Sequence, residues 1–146
     1  MYIKDIMTMN VITIPSNTSI ADAKKIMEAH KIHRLPVVDR GKLVGLVTER
    51  RLEAYTPSKA TSLSVWEIRY LLNKQTVKDI MEVNVITATP EMTVEEALAI
   101  GQKYGVGALP VVEDRRVMGI VTTNDFFYKV ANPTLGIGMP GIRVEV

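Results

Sequence analysis

The sequence contains no cysteine, so disulfide bonds and thiolate metal ligands are excluded. Aromatic residues make up 5% of the 146 residues, and no apolar run approaches the ~20 residues that a membrane-spanning helix needs. Residues 1–9 place Lys4 and Asp5 inside a short apolar segment, which is not the pattern of a signal peptide. We therefore expect a cytoplasmic protein that has no membrane partner.

An excess of charge of one sign is also lacking, because 18 basic residues stand against 16 acidic ones and the net charge is +2. A protein that neutralises the phosphates of duplex DNA needs a concentrated basic face, so a nucleic-acid partner is not expected. The apolar fraction of 47% and the charged fraction of 23% are those of an ordinary globular protein. The composition thus favours a small folded domain over a disordered chain.

Signatures of catalysis and of metal binding are missing from the sequence. There is no Gly-x-x-x-x-Gly-Lys loop and no Gly-x-Ser-x-Gly motif. The two histidines, His30 and His33, straddle a predicted helix end and have no cysteine beside them, which does not favour a metal site. We expect neither an enzyme nor a metalloprotein, and we expect no required cofactor.

An internal repeat organises the chain, because the sequence matches itself without a gap when it is shifted by 74 positions. Seventeen of the 51 aligned positions from 4 to 54 are identical. The identical segments include Lys4–Met7 with Lys78–Met81, and Leu35–Val38 with Leu109–Val112. We therefore expect one repeat at residues 1–55 and a second at residues 77–130, joined by a linker at residues 56–76.

Each repeat carries the pattern β-α-β-β-α. A short strand is predicted first, a helix follows that begins with a capping-box spacing at Ser19 or Thr93, and a last helix begins after Thr48 or Thr122. Valine-rich strands bounded by polar turns lie between the helices. The predicted strands are Val11–Thr13, Leu35–Val38, Leu43–Val47, Val85–Thr87, Leu109–Val112 and Val117–Val121. One repeat alone would bury little apolar surface, so we expect an α/β (α+β) fold in which the two repeats pack sheet to sheet with pseudo-two-fold symmetry.

The helices between the strands have apolar faces at helical spacing. The residues predicted to be buried are Ile20, Ala23, Ile26 and Met27 in the first repeat, and Val94, Ala97, Leu98 and Gly101 in the second. A linker helix is predicted after the capping box of Ser64 and Glu67, and it carries Trp66. We expect Trp66 to pack in the core or in a dimer interface, with stacking on a ligand as the alternative.

The last residues, 131–146, differ in character from the repeats. Three glycines and two prolines are followed by the alternating segment Ile142–Val146, which is typical of a strand. A lone strand has no sheet to join. We therefore interpret residues 131–146 as the start of a following domain.

The repeats resemble the CBS domain. The resemblance is carried by Leu-Pro-Val-Val, by Gly-Leu-Val-Thr in the first copy and by Gly-Ile-Val-Thr-x-x-Asp in the second, and it covers almost all of residues 2–130. The linker and the Pro-Gly tail are most similar to bacterial proteins of the acetoin-utilisation-protein-B type, in which an ACT domain follows the pair. The resemblance implies a regulatory module that binds an adenine nucleotide in the cleft between two repeats, and that forms homodimers.

The junction of strand and helix in the second repeat carries the clearest candidate site. A helix N-terminus and the Thr122 hydroxyl suit phosphate, while the Asp125 carboxylate can accept hydrogen bonds from two ribose hydroxyls. CBS proteins use the matching threonine and aspartate in this way, and Asn124 lies between them in the same turn. The alternative is that Thr122 is only a helix cap and that Asp125 only complements the helix dipole.

The first repeat carries a different set of residues. Arg51 replaces the ribose aspartate, so a second site of the same kind, at Thr48, Arg51, Gly107 and Ala108, is interpreted as degenerate. The arrangement resembles a pair of repeats in the nucleotide-sensing subunit of AMP-activated protein kinase. That resemblance implies one asymmetric site, with phosphate held by His33, Arg34 and Arg50 and with adenine lined by Ile12, Thr13, Ile32 and Ile120.

Three functions stay open from the sequence. The first is a sensor of AMP, ADP or ATP, because two phosphate-facing arginines favour phosphorylated ligands. The second is an interaction module that dimerises without a ligand. The third is a receptor for S-adenosylmethionine or a cyclic dinucleotide. Partner proteins, including a C-terminal ACT domain, are implied by the resemblance alone.

Overall fold

The computed structural model describes residues 1–56 and 62–126 of the chain. The elements in chain order are α1 (Ile3–Ile6), α2 (Ile20–His30), β1 (Arg34–Asp39), β2 (Lys42–Thr48), α3 (Glu49–Ala54), α4 (Val65–Lys74), a 3-10 turn (Val77–Asp79), α5 (Val94–Tyr104), β3 (Ala108–Glu113), β4 (Arg116–Thr122) and α6 (Thr123–Asp125). None of the helices in these two ranges has the length and apolar character to cross a membrane. The predicted following domain at residues 131–146 lies outside the described residues.

Two compact units divide the chain, and each combines pieces of both sequence repeats. We call Ile12–Val85 the Arg51 unit, and Met1–Val11 together with Ile86–Val146 the Asp125 unit. The turn that contains Lys4–Met7 therefore belongs with the body of the second repeat, and its copy at residues 78–81 belongs with the body of the first. The repeat limits drawn from the sequence follow the duplication, whereas the compact units follow this exchange of turns.

A two-stranded antiparallel hairpin forms the sheet of each unit. β1 pairs with β2 from Arg34 opposite Thr48 to Asp39 opposite Lys42, and β3 pairs with β4 in the same register 74 positions later. These four strands confirm the prediction to within a residue or two at each end. The hairpin turns place two successive residues at positive φ, at positions 40–41 and 114–115, which matches the twist of the strands.

The first predicted strand of each repeat is wrong in extent. Residues 11–13 and 85–87 are not strand, and the pairing is reduced to one parallel bridge per unit, Ile14 with Val37 and Ala88 with Val111. The amide of Val38 donates to the Ile14 carbonyl over 2.8 Å. The ladder stops there because the next amide facing the strand, that of Ser16, donates to the Asp39 carboxylate over 2.9 Å, and the matching residue of the Asp125 unit, Pro90, has no amide.

The exchanged turns cover the other edge of each hairpin. Thr8 bridges Ile120 in the Asp125 unit, and Glu82 bridges Leu46 in the Arg51 unit. The glycine of each strand allows this approach: a Cβ at Gly119 would lie 2.8 Å from the Thr8 carbonyl oxygen, and a Cβ at Gly45 would lie 3.0 Å from that of Glu82. Both positions therefore require glycine for a close backbone contact.

Apolar residues from the helices, the strands and the exchanged turns form one core in each unit. The Arg51 unit buries Ile14, Ile20, Ala23, Met27, Leu35, Val37, Val47, Leu52, Val77 and Ile80. The Asp125 unit buries Ile3, Ile6, Ala88, Val94, Ala97, Leu109, Val111 and Val121. The repeated Lys-Asp-Ile-Met segment is thereby explained, because its isoleucine is buried and the carboxylate of Asp5 or Asp79 accepts from the amide that begins its turn.

Helix capping follows the predicted pattern. The Ser19 hydroxyl accepts from the amide of residue 22, and the Thr93 hydroxyl accepts from the amide of residue 96. The burial predicted for Leu98 is wrong, since its side chain is 38% exposed, and Ile100 packs against the core from the same helix instead.

The linker helix α4 begins at its predicted capping box, where Ser64 accepts from the Glu67 amide. Burial of Trp66 in the core of the chain is wrong, because its side chain is 75% exposed. Leu72 packs against the core of the Arg51 unit, so the helix docks by this side and presents Trp66 and Tyr70 outward. An interface or a ligand contact for Trp66 stays a prediction.

Candidate functional site

Asp125 is the one charged side chain that is buried among the described residues, with 7% of its surface exposed. Its Oδ2 accepts from the Thr122 amide over 2.9 Å and from the Thr122 hydroxyl over 3.2 Å. The amide of Asp125 donates in turn to the Thr122 hydroxyl over 3.4 Å. This reciprocal capping box holds the carboxylate at the point where β4 turns into α6.

Thr8 is a member of this site that the sequence did not predict. Its hydroxyl donates to Oδ1 of Asp125 over 3.2 Å, although the two residues are 117 positions apart. Its backbone exchanges two hydrogen bonds with Ile120, of 2.8 and 3.0 Å. The only sequence signal was that the repeated turn ends at Met7, so that residue 8 could lie beside a strand.

The remaining residues predicted around Asp125 occupy different surroundings. Ile120 is half-buried on β4 and forms the β-bridge with Thr8, whereas Asn124 is exposed in the first turn of α6. Gly107 accepts from the Thr123 amide over 3.0 Å, and Ala108 is the buried first residue of β3. The structure thus groups Asp125, Thr122 and Ile120 around one junction.

The matching junction of the Arg51 unit carries different chemistry. Thr48 caps α3 by accepting from the Arg51 amide over 3.1 Å, as Thr122 caps α6. The Arg51 side chain cannot return a bond to the cap because a guanidinium has no acceptor, and its Nε donates to the Ile80 carbonyl of the exchanged turn instead. The residue that matches Thr8 is Glu82, which is exposed.

The predicted phosphate ligands lie in three settings within the Arg51 unit. His33 forms an ion pair with Glu49 and is 71% exposed. Arg34 is the half-buried first residue of β1, and because strand side chains alternate it points away from the face of Leu35 and the core. Arg50 is exposed in the first turn of α3. A joint role of these three residues on phosphate stays a prediction.

The residues predicted to line an adenine slot also differ in exposure. Ile12 and Ile32 are partly buried against the core of the Arg51 unit, whereas Thr13 is exposed. Ile32 also lines a cavity between α2 and α3, together with His33. The structure therefore gives Ile12 and Ile32 a packing role, and their contact with adenine stays a prediction.

A cavity lies at the helical end of each unit, and the two cavities are built from matching positions. The cavity of the Arg51 unit, about 470 Å³, is lined by Lys24, Met27, Glu28, Lys31, Ile32, His33, Glu49, Leu52 and Glu53. The cavity of the Asp125 unit, about 400 Å³, is lined by Ala97, Leu98, Gly101, Gln102, Val106, Gly107, Ala108, Leu109, Val121, Thr123 and Phe126. The first is rich in charged groups and the second is mainly apolar.

Contacts with single neighbours shift the pKa of two side chains, Asp39 and Lys4. Two hydrogen bonds from Ser16, from its hydroxyl over 2.5 Å and from its amide over 2.9 Å, hold the pKa of Asp39 below its ordinary value. The ion pair with Glu91 raises the pKa of Lys4. Within residues 1–56 and 62–126, no cluster of three metal-ligating side chains is found.

Comparison with protein families decides the identity of the repeats. The CBS domain model matches residues 3–55 and 77–132, which is most of the chain. The chain belongs to the CBS domain family. It contains two CBS domains in tandem, and the mixed helix-and-strand architecture with two small sheets is that of a CBS pair.

Solved CBS pairs have the same fold. The CBS domain pair of protein MJ0100, solved with 5′-methylthioadenosine and S-adenosyl-L-methionine, is 38% identical with a TM-score of 0.70, covering 86% of this chain and 92% of that one. An acetoin utilization protein (AcuB) from Vibrio cholerae is 30% identical with a TM-score of 0.75, covering 91% and 92%. CBSX2 in complex with AMP is 25% identical with a TM-score of 0.75, covering 88% and 95%.

Curated relatives include enzymes that are much longer than this CBS pair. The L-aspartate semialdehyde sulfurtransferase of Methanocaldococcus jannaschii is 41% identical over 127 residues, which are 84% of this chain and 22% of the enzyme. The chain thus spans about a fifth of the length of the first curated relatives that it matches. The activity in that name belongs to the longer protein.

Proposed function

We propose that this CBS pair is a non-catalytic regulatory module that binds an adenine nucleotide through the ribose. The observation that carries the proposal is the buried Asp125 carboxylate, held by Thr122 and Thr8 at the strand-to-helix junction of the Asp125 unit. A carboxylate in this position accepts hydrogen bonds, and the two hydroxyls of a ribose are the donors that it fits.

The hydrogen bonds now made by Asp125 are compatible with a ribose. Two of its donors are threonine hydroxyls, on Thr8 and Thr122, each at 3.2 Å. A hydroxyl rotates about its C–O bond and can turn to another acceptor. A carboxylate has about four acceptor sites, so ribose hydroxyls can bond to Asp125 beside the Thr8 hydroxyl, and the Thr122 hydroxyl can turn aside for them. The Thr122 amide keeps the carboxylate in position throughout.

The ligands of related CBS pairs support an adenosine-containing ligand. The MJ0100 pair was solved with two adenosyl compounds, and CBSX2 was solved with AMP. Adenosine is the part that these ligands share. We place AMP, ADP or ATP first because Arg34 and Arg50 are predicted to face phosphate, and arginine binds phosphate in a bidentate manner. S-adenosylmethionine or a cyclic dinucleotide is the alternative ligand.

A homodimerisation module is the second candidate function. The observation that favours it is the exposed apolar surface of α4, where Val65, Trp66 and Tyr70 are 63%, 75% and 60% exposed. Exposed aromatic side chains of this size are typical of interface anchors. This function predicts a dimer whose stability does not change with nucleotide. A partner protein or an ACT domain stays a prediction from the resemblance.

Thermal unfolding with a panel of ligands tests the proposal. AMP, ADP, ATP, S-adenosylmethionine and cyclic di-AMP are added to the wild type, to Asp125→Asn and to Asp114→Asn. A ligand at about 100 times its Kd should stabilise the folded state by roughly 2.7 kcal/mol, which shifts the Tm by several degrees. The expected result is a shift with an adenine nucleotide that Asp125→Asn loses.

Asp114→Asn is the matched control, because it makes the same chemical change in the same unit. Asp114 is exposed in the turn between β3 and β4 at φ +51°, a conformation that asparagine also adopts readily. Its ligand-induced shift should equal that of the wild type. If the wild type shifts with none of the five ligands, the sensor is rejected and the dimerisation module becomes the better description.

A further inference from the structure

Thr8 and Glu82 hold equivalent places in the two units. The backbone of Thr8 exchanges hydrogen bonds of 2.8 and 3.0 Å with Ile120, and the backbone of Glu82 exchanges two bonds of 2.9 Å with Leu46. Each residue follows an exchanged turn and lies beside the strand that leads into a capping threonine. The backbone therefore presents the two side chains in the same way.

The side chains that share these places have opposite chemistry. In the Asp125 unit, the Thr8 hydroxyl donates to the Asp125 carboxylate. In the Arg51 unit, a carboxylate stands at the place of the hydroxyl and a guanidinium stands at the place of the carboxylate. Both members of the pair are changed, so the two junctions differ in which of their groups can accept and which can donate.

We propose that the residue bridged to the second strand of each hairpin, Thr8 or Glu82, decides which unit binds an adenosyl ligand. Thr8 positions Asp125 for the ribose, whereas Glu82 and Arg51 together prevent the other junction from binding it. The inference rests on the proposed function. Arg51 offers donors only, so it cannot accept from ribose hydroxyls, and it is engaged with the Ile80 carbonyl. Glu82 adds a negative charge that repels a phosphate.

Thr8 is a positioning residue under this proposal, because it acts through Asp125. Its hydroxyl bonds to one carboxylate oxygen while Thr122 bonds to the other, so the two threonines together fix the plane of the carboxylate. A glutamate at position 8 would remove the donor and add a like charge beside Asp125. The like charge raises the cost of keeping Asp125 ionised.

Isothermal titration calorimetry of the whole chain with AMP and with S-adenosylmethionine tests the proposal. We expect Thr8→Glu to weaken binding by more than about thirtyfold, which a like-charge pair of this kind can produce. Glu82→Thr is the matched control, since it makes the reverse change at the equivalent bridge, and its affinity should equal that of the wild type. The bridge at Glu82 shows that this backbone geometry accommodates a glutamate.

A conservative series separates positioning from a structural role. Thr8→Ser keeps the hydroxyl and should bind as the wild type does, whereas Thr8→Val keeps the shape and should weaken binding by about fivefold to tenfold, the loss of one hydrogen bond. The Tm of each variant without ligand is measured in parallel. If Thr8→Glu does not fold, the difference in affinity between Thr8→Ser and Thr8→Val tests the proposal.

The outcomes distinguish this inference from the proposed function. If the wild type binds neither probe, or if Asp125→Asn binds as well as the wild type, both are overturned. If the wild type binds and Asp125→Asn does not, but Thr8→Val and a folded Thr8→Glu bind normally, the inference alone is overturned. Equal weakening by Glu82→Thr and Thr8→Val would also overturn it, because the two bridges would then not differ.

Discussion

The two units of this CBS pair share one backbone plan and differ in the side chains at their strand-to-helix junctions. Their hairpins pair in the same register 74 positions apart, and each is edged by one parallel bridge and one exchanged turn. Their junctions carry Asp125 with Thr8 in one unit and Arg51 with Glu82 in the other. Duplication has therefore kept the packing and allowed the charge and hydrogen-bonding groups of the junctions to diverge.

The helical cavities show the same divergence. Lys24, Glu28 and His33 line the cavity of the Arg51 unit, and Leu98, Gln102 and Gly107 stand at the matching positions of the Asp125 unit. None of these side chains belongs to the buried core of its unit. A position that does not support the core can change its polarity freely, and this freedom is what lets two copies of one fold acquire different surfaces.

The largest effect should come from truncating the core at a position that the units share. Leu35 and Leu109 are 0% and 2% exposed, so replacing either by alanine should lower the free energy of unfolding by about 2–5 kcal/mol. Leu98→Ala is the control, because its side chain is already 38% exposed. Urea denaturation measures the free energy of unfolding of the three variants. If only one of the two core variants lost less than about 1 kcal/mol, the two cores would not be equivalent.

A smaller and unequal effect is expected at the two glycines. A Cβ at Gly119 would lie 2.8 Å from the Thr8 carbonyl oxygen, whereas a Cβ at Gly45 would lie 3.0 Å from that of Glu82, and the methionine side chain that each also meets, Met7 or Met81, can turn aside. Gly119→Ala should therefore cost more stability than Gly45→Ala, within the range of about 1–3 kcal/mol for overpacking. Equal losses of unfolding free energy in chemical denaturation would contradict this, because they would show that both backbone contacts adjust to a Cβ to the same extent.

The smallest effect concerns acid stability. The hydrogen bonds from Ser16 lower the folded pKa of Asp39 below its unfolded pKa, so the stability they give is present above the unfolded pKa and is lost as the pH falls through the folded pKa. Asp39→Asn should flatten the acid limb of Tm against pH. Glu113→Gln is the control, because its unit has Pro90 in place of Ser16 and proline offers neither hydroxyl nor amide. An unchanged acid limb in Asp39→Asn would contradict the assignment.

Much of the fold could be predicted from local pattern. The hairpins, the caps at Ser19, Ser64 and Thr93 and the duplication itself depend on residues that are close in sequence. The prediction of a strand at residues 11–13 was wrong because a single bridge has no periodicity to detect. The predicted burial of Leu98 was wrong because an apolar residue at the edge of a helical stripe can face solvent.

The sequence by itself determined that the chain is a pair of CBS repeats and that Asp125 and Arg51 stand at matching positions. Only the tertiary structure decided that the exchanged turns pack on the opposite repeat, and hence that Thr8 reaches Asp125 across 117 positions. The reason is physical: a repeat shows which residues are equivalent, whereas contact depends on where each buried turn finds apolar surface. The same turn sequence fits both cores, and its packing in the whole chain selects the partner.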